Sequence, residues 1–536
     1  MDILESDLAP VSFDPPTPAE VRKSEELEAY LRYRSFVSLG IYETQDEVTH
    51  REELLESMQN LVRESVKQIL KNQVSNMDNA YTNQTPKELA NLFTFGSFRM
   101  GINEPSADID SSMWWLMVMS RMAVGPALVS RDLFFDIMEA YLKSDPKASD
   151  VTVIPDAFHF DVALKSRFVP IITMRYGGID FDLSYAPINR YQTRLPLDFD
   201  ILDDNNLRNC DDQTVRSLNG RRVTDTILNM VPNRSTFFLV LKAFRYWARN
   251  RGLYKNVMGY FGGVNCALLC SYACMAYPKA SPAVVLHHCF KIFAEWTWPK
   301  PIVLKNVQLK PELGQDEGVW NPKANEKCRN DLFPLLTPCY PSQNSCYTVM
   351  KSTRDVIIKE FERGRDITAK ILENQLPWSE LFKEFPFFSA YKYYIQVEVA
   401  ASTEEMFNQW YGFVESRIRR LIPLLESKEG VKTHLFPKSF TPPNRQFCKQ
   451  FYIALILESP DSLVNLAGAV NSFKSLLGEV EICQYDLQTV EIEFTSFKNS
   501  SKGNELPDYL FPNGKTVKRR KRSNKTEGSE AKRTKV

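Results

Sequence analysis

The chain lacks a net charge: 66 Lys and Arg balance 66 Asp and Glu. That total speaks against a strongly basic nucleic-acid binder. It also lacks an apolar run near the ~20 residues of a membrane span. The nearest candidate, Val264 to Tyr277, is shorter and is broken by Asn265 and Ser271, so a buried helix is expected there and no membrane partner. The ten cysteines include no CxxC pair, which points to a reduced intracellular setting. The opening MDILESDLAP is acidic where a secretory leader needs positive charge and an apolar run, so none is expected. No internal repeat is evident. What is present is enough apolar material, 43% of residues with 12% aromatic, to build several cores. The length of 536 residues suits two to four domains at roughly 100–200 residues each.

The zero charge hides a split. Residues 515–536 carry ten Lys and Arg against two Asp and Glu, a net of +8, so the rest of the chain carries −8. An acidic body with a basic tail therefore needs explaining.

Along the chain, residues 1–14 read as a flexible arm. Thr17 to Leu31 starts like a capped helix, with Pro18 in the first turn and Glu20 three residues after Thr17. A helical period runs through Leu54, Leu55, Met58, Leu61, Val62, Val66, Ile69 and Leu70. From 62 to 190 the texture is mixed α/β, and from 217 to about 363 it is mainly helical. Beyond 364, runs at 391–401, 451–457 and 490–494 read as strands, with helices at 403–425 and 462–477, an α+β module. Cys266, Cys270 and Cys274 share one helix face near His287, His288 and Cys289. Zinc is conceivable there, but packing as small apolar residues is the plainer reading.

The chemistry concentrates in FGSFRMGINEPSADID, residues 95–110. Asp108 and Asp110 alternate onto one face of a strand, and converging carboxylates repel unless a cation lies between them. Magnesium suits such hard oxygen ligands. Ser97, eleven residues before Asp108, follows Gly96 in a turn that can seat a phosphate. A third acid is available in GGIDFDLSYA, where Asp180 and Asp182 again share a face. Three acids suit two-metal chemistry, with ions roughly 3.5–4 Å apart. Each element alone is weak. The combination is the pattern of DNA polymerase-beta-like nucleotidyltransferases.

The chain further resembles eukaryotic nuclear poly(A) polymerases over nearly all its length. PTPAE, FTFGSFRMG, ADID, SLNGRRVTD (217–225), WARNRGLYKN (247–256), GYFGGVN (259–265) and WTWPKPIVL (296–304) look like that family's blocks, in order. WYGFVESRIRRL (410–421) resembles its RNA-binding domain. The resemblance implies that Asp108 and Asp110 bind two Mg²⁺ or Mn²⁺ ions and that Asp182 assists the metal near the primer hydroxyl. Phe95, Gly96 and Ser97 match the ATP-contacting turn, and Ile109 lies between the paired acids. Tyr254 matches a tyrosine near the triphosphate. Gly263 and Val264 match positions approaching the nucleotide. Asn219 and Asn256 match polar positions facing nucleotide or primer end.

Some positions depart from the family pattern. Arg245 stands where a lysine is usual, retaining charge with a larger, planar head. Glu104 brings a carboxylate near the ATP position, and Ser106 replaces a glycine. The stretch SSMWWLMVMSRM after ADID lacks the usual basic and histidine-containing character and reads as a repacked buried strand.

The expected fold is α+β with a nucleotidyltransferase domain inserted in a helical middle domain, then a C-terminal RNA-recognition-like domain. The expected divisions are 1–61 (helical part of the middle domain), 62–190 (catalytic), 191–363 (central helical), 364–514 (RNA-binding) and 515–536 (basic tail). KRRKR (518–522) and KRTK (532–535) resemble a bipartite nuclear import signal. The expected activity is template-independent addition of AMP from ATP to an RNA 3′ end. The expected partners are the cleavage and polyadenylation machinery and a nuclear import receptor, for a nuclear monomer. A uridylyltransferase and a catalytically weak or inactive RNA-binding paralogue are the alternatives.

Overall fold

A computed structural model describes residues 2–34, 45–73, 86–94, 99, 119–154, 169–458, 465–478, 489–500 and 503–511. The chain opens with strand β1 (Asp2–Leu4), which pairs antiparallel with a short strand at Val307–Gln308. Asp2 accepts from the amides of Asn306 and Gln308 at 2.9 and 2.8 Å, and Ser6 donates to the Val303 carbonyl at 2.6 Å. The flexible arm expected here is instead docked, because its polar groups find partners some 300 residues away. Helix α1 (Pro18–Arg34) begins as expected. The Thr17 N–H donates to Glu20 at 2.7 Å, and the Glu20 N–H donates back to Thr17 Oγ1 at 3.3 Å. Its Leu27 and Leu31 are buried in the central helical core.

Helix α2 (Gln45–Gln73) buries Leu54, Met58, Val62, Val66, Ile69 and Leu70 at helical spacing. Burial of each such side chain is worth roughly 1.5–3 kcal/mol. The helix runs unbroken through the division expected at 61 and 62, and residues on both sides enter the same core. The buried face of α2, on both sides of that point, therefore packs into the core of the first sheet. That sheet contains β2 (Asn91–Thr94), β3 (Met119–Pro126), β4 (Ala148–Ile154), β5 (Ile171–Tyr176) and β6 (Ile179–Ile188). Their order is β2-β3-β6-β5-β4, with only β3 and β6 parallel. Helix α3 (Arg131–Ser144) lies beside α2, and Phe134 stacks on Tyr185 at 4.1 Å. The opposite face, through Met122, Val124, Ala186 and Ile188, packs on residues from 195–218 and 303–340.

The central unit is helical: α4 (Asp212–Met230), α5 (Arg234–Asn250), α6 (Gly263–Ala276), α7 (Pro282–Ala294) and α8 (Lys351–Leu372). Phe244, Trp247, Phe290 and Phe361 form its aromatic centre, with Trp247 edge-on to Phe290 at 4.7 Å. Because α1 packs on α5, α7 and α8, the chain visits the central unit, leaves for the first sheet, and returns. Ile357, Phe361 and Ile371 of α8 share this core, so the division expected at 363 and 364 falls inside one continuous helix. Cys266, Cys270, Cys274 and Cys289 are buried in the same core, and burial pushes the Cys266 thiol up to about 12. His287 contacts Thr368 Oγ1 at 2.9 Å, and His288 stacks on Tyr277 at 3.7 Å.

The C-terminal unit contains β7 (Tyr393–Ala401), helices α9 (Glu404–Arg417) and α10 (Leu421–Glu426), β8 (Val431–Leu435), β9 (Cys448–Leu457), α11 (Ala467–Gly478) and β10 (Val490–Ser500). The strands order as β10-β7-β9-β8, all antiparallel, with a two-residue strand (Gly503–Asn504) added beyond β10. This is the RNA-recognition topology expected from the sequence. The helices cover one face through Ile395, Val397 and Val399. The other face is not bare: Phe387, Phe388, Phe436, Leu506 and Leu510 pack over Tyr394 and Tyr452. No described helix is long and apolar enough to cross a membrane.

Candidate active site

Period-two alternation on β6 sends Phe181, Leu183 and Tyr185 under the helices. Asp180, Asp182 and Ser184 take the opposite face. Asp182 is paired in register with Ser120 of β3 and Thr173 of β5, at the centre of the sheet. Burial pushes its carboxyl up to about 6, and the Asp180 carboxylate adds to the effect. Asp180 is raised as well, chiefly by burial.

Helix α4 packs against β6 and against α6, and so joins the two halves of the site. Asp211 caps it through the Thr214 N–H at 2.8 Å. Arg221 Nη1 donates to the Thr94 carbonyl at 2.7 Å, and its Nε donates to Asp225 at 2.6 Å. Asp225 also accepts from Arg99 Nε at 3.0 Å. One helix thus holds both Thr94 and Arg99. Asn219, on the same helix, accepts from Arg222 at 3.3 Å.

The second half is built from the 245–265 segment. Arg245 is buried on α5, with its guanidinium 5.8 Å from the Tyr254 ring centre. Arg249, one turn later, lies 4.9 Å from the same ring. Tyr254 bridges to Phe261, and this folds Gly262 and Gly263 back toward it. A Cβ added at Gly263 would lie 3.5 Å from the Tyr254 hydroxyl. Asn256 donates to Asn265 Oδ1 at 3.2 Å and to the Ser345 carbonyl at 3.3 Å, while the Gly262 N–H donates to Asn265 at 2.6 Å. Gly263 and Val264 form the first turn of α6, and Val264 is 38% exposed. That turn combines a helix's positive end with two small residues, beside two guanidiniums and a phenol. The arrangement suits a polyphosphate.

The structure thus gathers Arg245, Tyr254, Asn256, Gly263 and Val264 into one cluster, while Asp182 and Asn219 belong to the sheet and to α4. Phe95, Gly96, Ser97, Glu104, Asp108, Ile109 and Asp110 lie outside the described residues. The sequence reading missed Arg249, Arg221, Asp225, Arg99 and Asn265. The first three carried a signal: Arg249 is four residues after Arg245, and Asp225 four after Arg221, so each pair shares a helix face.

An acid-bearing mixed sheet joined through one helix to a cationic, glycine-lined turn is the plan of a nucleotidyltransferase, and residues 9–231 match the poly(A) polymerase nucleotidyltransferase domain. Residues 236–384 match the poly(A) polymerase central domain, and 386–446 the predicted RNA binding domain. The chain belongs to the poly(A) polymerase family. It is 35% identical to the poly(A) polymerase of Dictyostelium discoideum, over 95% of this chain and 60% of that protein. It is 34% identical to nuclear poly(A) polymerase 4 of Arabidopsis thaliana, over 94% of this chain and 64% of that one. The chain therefore spans less than two thirds of the length of these relatives. Among solved structures, a cytoplasmic RNA terminal U-transferase aligns with 68% of this chain and 99% of its own, at 13% identity and a TM-score of 0.41.

Proposed function

We propose that this chain is a template-independent poly(A) polymerase that joins the α-phosphorus of ATP to an RNA 3′ hydroxyl and releases pyrophosphate. The observation that carries this reading is the convergence of Arg245, Arg249, Tyr254 and the Gly262–Val264 turn beside the helix that packs on the Asp182 strand. Asp182 fits a divalent cation. It is a hard oxygen donor, and burial, with the Asp180 charge adding to it, holds its carboxyl up at about 6. Asp108 and Asp110 would complete the ligand set for Mg²⁺ or Mn²⁺. When bound, such ions supply charge neutralisation and lower the pKa of the attacking hydroxyl.

The remaining work is positioning. The α6 N-terminus and the Tyr254 hydroxyl present N–H and O–H donors to the triphosphate. Arg245 and Arg249 add positive charge beside it. Gly262 and Gly263 let a ribose or base come close to the backbone. Asn256, held by Asn265 and Ser345, offers a fixed amide to the nucleotide. The C-terminal unit receives the RNA strand. Its sheet face is covered by Phe387, Phe388 and Leu510, so base stacking on that face is not the mode of contact.

The basic tail directs the chain to the nucleus, where the cleavage and polyadenylation machinery supplies substrate choice. Deleting 515–536 is expected to abolish nuclear accumulation, and persistent accumulation refutes the import role. The deciding assay uses purified chain, an RNA primer, Mg²⁺ or Mn²⁺, and each of the four nucleotides separately. Extension with ATP that is lost in Asp108→Ala and Asp182→Ala is expected. Preference for UTP, or no extension at all, refutes the reading.

A further inference from the structure

The loop carrying Tyr254 and Asn256 does not rest on the central unit alone. Lys255, between them, extends its ammonium to Glu415 of α9 at 2.5 Å. Glu415 also accepts from the Tyr411 hydroxyl, which is held in turn by Ser439 at 2.9 Å. The Lys449 ammonium lies 4.5 Å over the Tyr411 ring and 5.8 Å from that of Phe407. Burial pushes Lys449 down to about 8, with the Glu415 carboxylate opposing that fall and the Lys255 charge adding to it. One carboxylate thus faces two ammonium groups and a phenol. A second tie comes from the same loop: the buried Tyr260 hydroxyl donates to the Leu435 carbonyl of β8 at 2.7 Å. Within the loop, the Lys255 carbonyl accepts from the N–H groups of Met258 and Tyr260 at 3.1 and 3.3 Å. Displacing Lys255 therefore moves the turn that leads to Gly262 and Gly263.

We propose that Glu415, on the RNA-binding unit, is a positioning residue for the nucleotide: it anchors Lys255 and thereby sets the Tyr254–Asn256 loop for ATP. The inference rests on the reading that this loop faces ATP. Its consequence is that the RNA-binding unit acts on nucleotide affinity without touching the nucleotide. Glu415 is 15% exposed at its side chain and Lys255 30%, so the pair is only partly screened by solvent. Glu415→Gln keeps the shape and the acceptor for Tyr411 but removes the charge.

The test is steady-state extension of an RNA primer by the full chain, with ATP titrated. Glu415→Gln is expected to raise KM for ATP about tenfold while kcat changes less than about threefold. Lys255→Met is expected to do the same, and the double variant to add little to either single change. Glu415→Asp, which keeps the charge, is expected to recover much of the loss. If Glu415→Gln does not fold, Lys255→Met in its half-buried loop carries the same test. An unchanged KM in a variant with a lowered melting temperature would make the pair a structural tie only and overturn the inference. Independent, multiplying effects of the two variants would overturn it too. A wild-type chain that fails to use ATP overturns the functional reading itself. A wild-type chain that uses ATP beside a Glu415→Gln variant of unchanged KM overturns this inference alone.

Discussion

Arg99 and Asp225 stand 126 positions apart in sequence and meet at 3.0 Å. Asp225 simultaneously holds Arg221, whose other arm grips the Thr94 carbonyl. Thr94 and Arg99, the described residues on either side of 95–98, are therefore both fastened to one helix. The stretch carries Phe95, Gly96 and Ser97, the residues proposed to meet ATP. Asp225→Asn leaves two guanidiniums without their common counter-charge. Charge-assisted hydrogen bonds are worth about 1.5–3 kcal/mol each, so kcat/KM for ATP should fall at least about tenfold. The melting temperature should fall as well, because Arg221 and Asp225 are each only 13% exposed; Arg99→Ala, which removes the 43% exposed partner alone, should lower kcat/KM with little change in melting temperature. Parallel thermal unfolding and extension assays check both halves. Loss of stability in proportion to loss of activity in Arg99→Ala would reduce the network to a fold element.

Arg245 stands where the family resemblance leads one to expect a lysine, and its surroundings bear on the role proposed for it. It is buried, with its guanidinium 5.8 Å and that of Arg249 4.9 Å from the Tyr254 ring centre. Arg245→Lys keeps the charge and loses the planar contact, worth about 0.5–2 kcal/mol. KM for ATP should rise severalfold. Arg245→Ala removes the charge as well and should lower kcat/KM by about 10²-fold or more. Equal activity of all three forms, at equal melting temperature, would show that Arg249 alone supplies the cation.

Much of this arrangement was legible in the sequence, and the reasons for the rest are physical. Asp182 was legible because strand alternation is local: the residues on either side are apolar and point the other way. Tyr254 and the Gly262–Val264 turn were legible as family blocks. The Arg99–Asp225 and Lys255–Glu415 pairs were not, because an exposed-looking charge in sequence carries no record of which distant charge it meets. The same holds for the N-terminal arm, whose order comes from Asn306 and Gln308. The strand at Val431–Leu435 escaped notice for a different reason. Thr433 and His434 are polar but buried, so the segment shows no alternation to read. The divisions expected at 61 and 363 fell inside helices because both segments look amphipathic on either side of the cut.

Arg251 and Glu360 form the most enclosed ion pair of the described residues that bears on domain arrangement. Two hydrogen bonds of 2.7 and 2.8 Å join them, and each side chain is under a tenth exposed. Arg251 ends α5 and also donates to the Lys383 carbonyl at 2.8 Å, so the pair ties α5, α8 and the approach to the RNA-binding unit together. Removing one member strands a buried charge. Glu360→Ala should cost about 3–5 kcal/mol. The check is a urea midpoint, expected to fall well below that of the wild type. A shift no larger than that of an exposed pair such as Arg32→Ala, expected within about 1 kcal/mol, would contradict the assignment.

His434 makes stability depend on pH in a direction that can be worked out. It is buried on β8, with Nδ1 2.6 Å from the Tyr391 hydroxyl. Burial pushes its imidazole down to about 3, and the Lys359 charge adds to the effect. The unfolded chain's histidine titrates near 6.5. Between these values the unfolded state holds the extra proton, so acid favours unfolding. The contribution is fully present above about pH 6.5 and is lost as pH falls toward 3, at a limiting slope of about 1.4 kcal/mol per pH unit. Carboxylates add their own dependence below pH 5, which leaves the interval from 6.5 to 5 as the diagnostic one. His434→Leu removes the titrating group while retaining an apolar side chain in the core. Its stability, measured by urea unfolding at steps across that interval, should be flatter with pH than the wild type's by close to one proton. Identical slopes would mean that His434 is already charged in the folded chain, and that the Tyr391 hydroxyl accepts from an imidazolium.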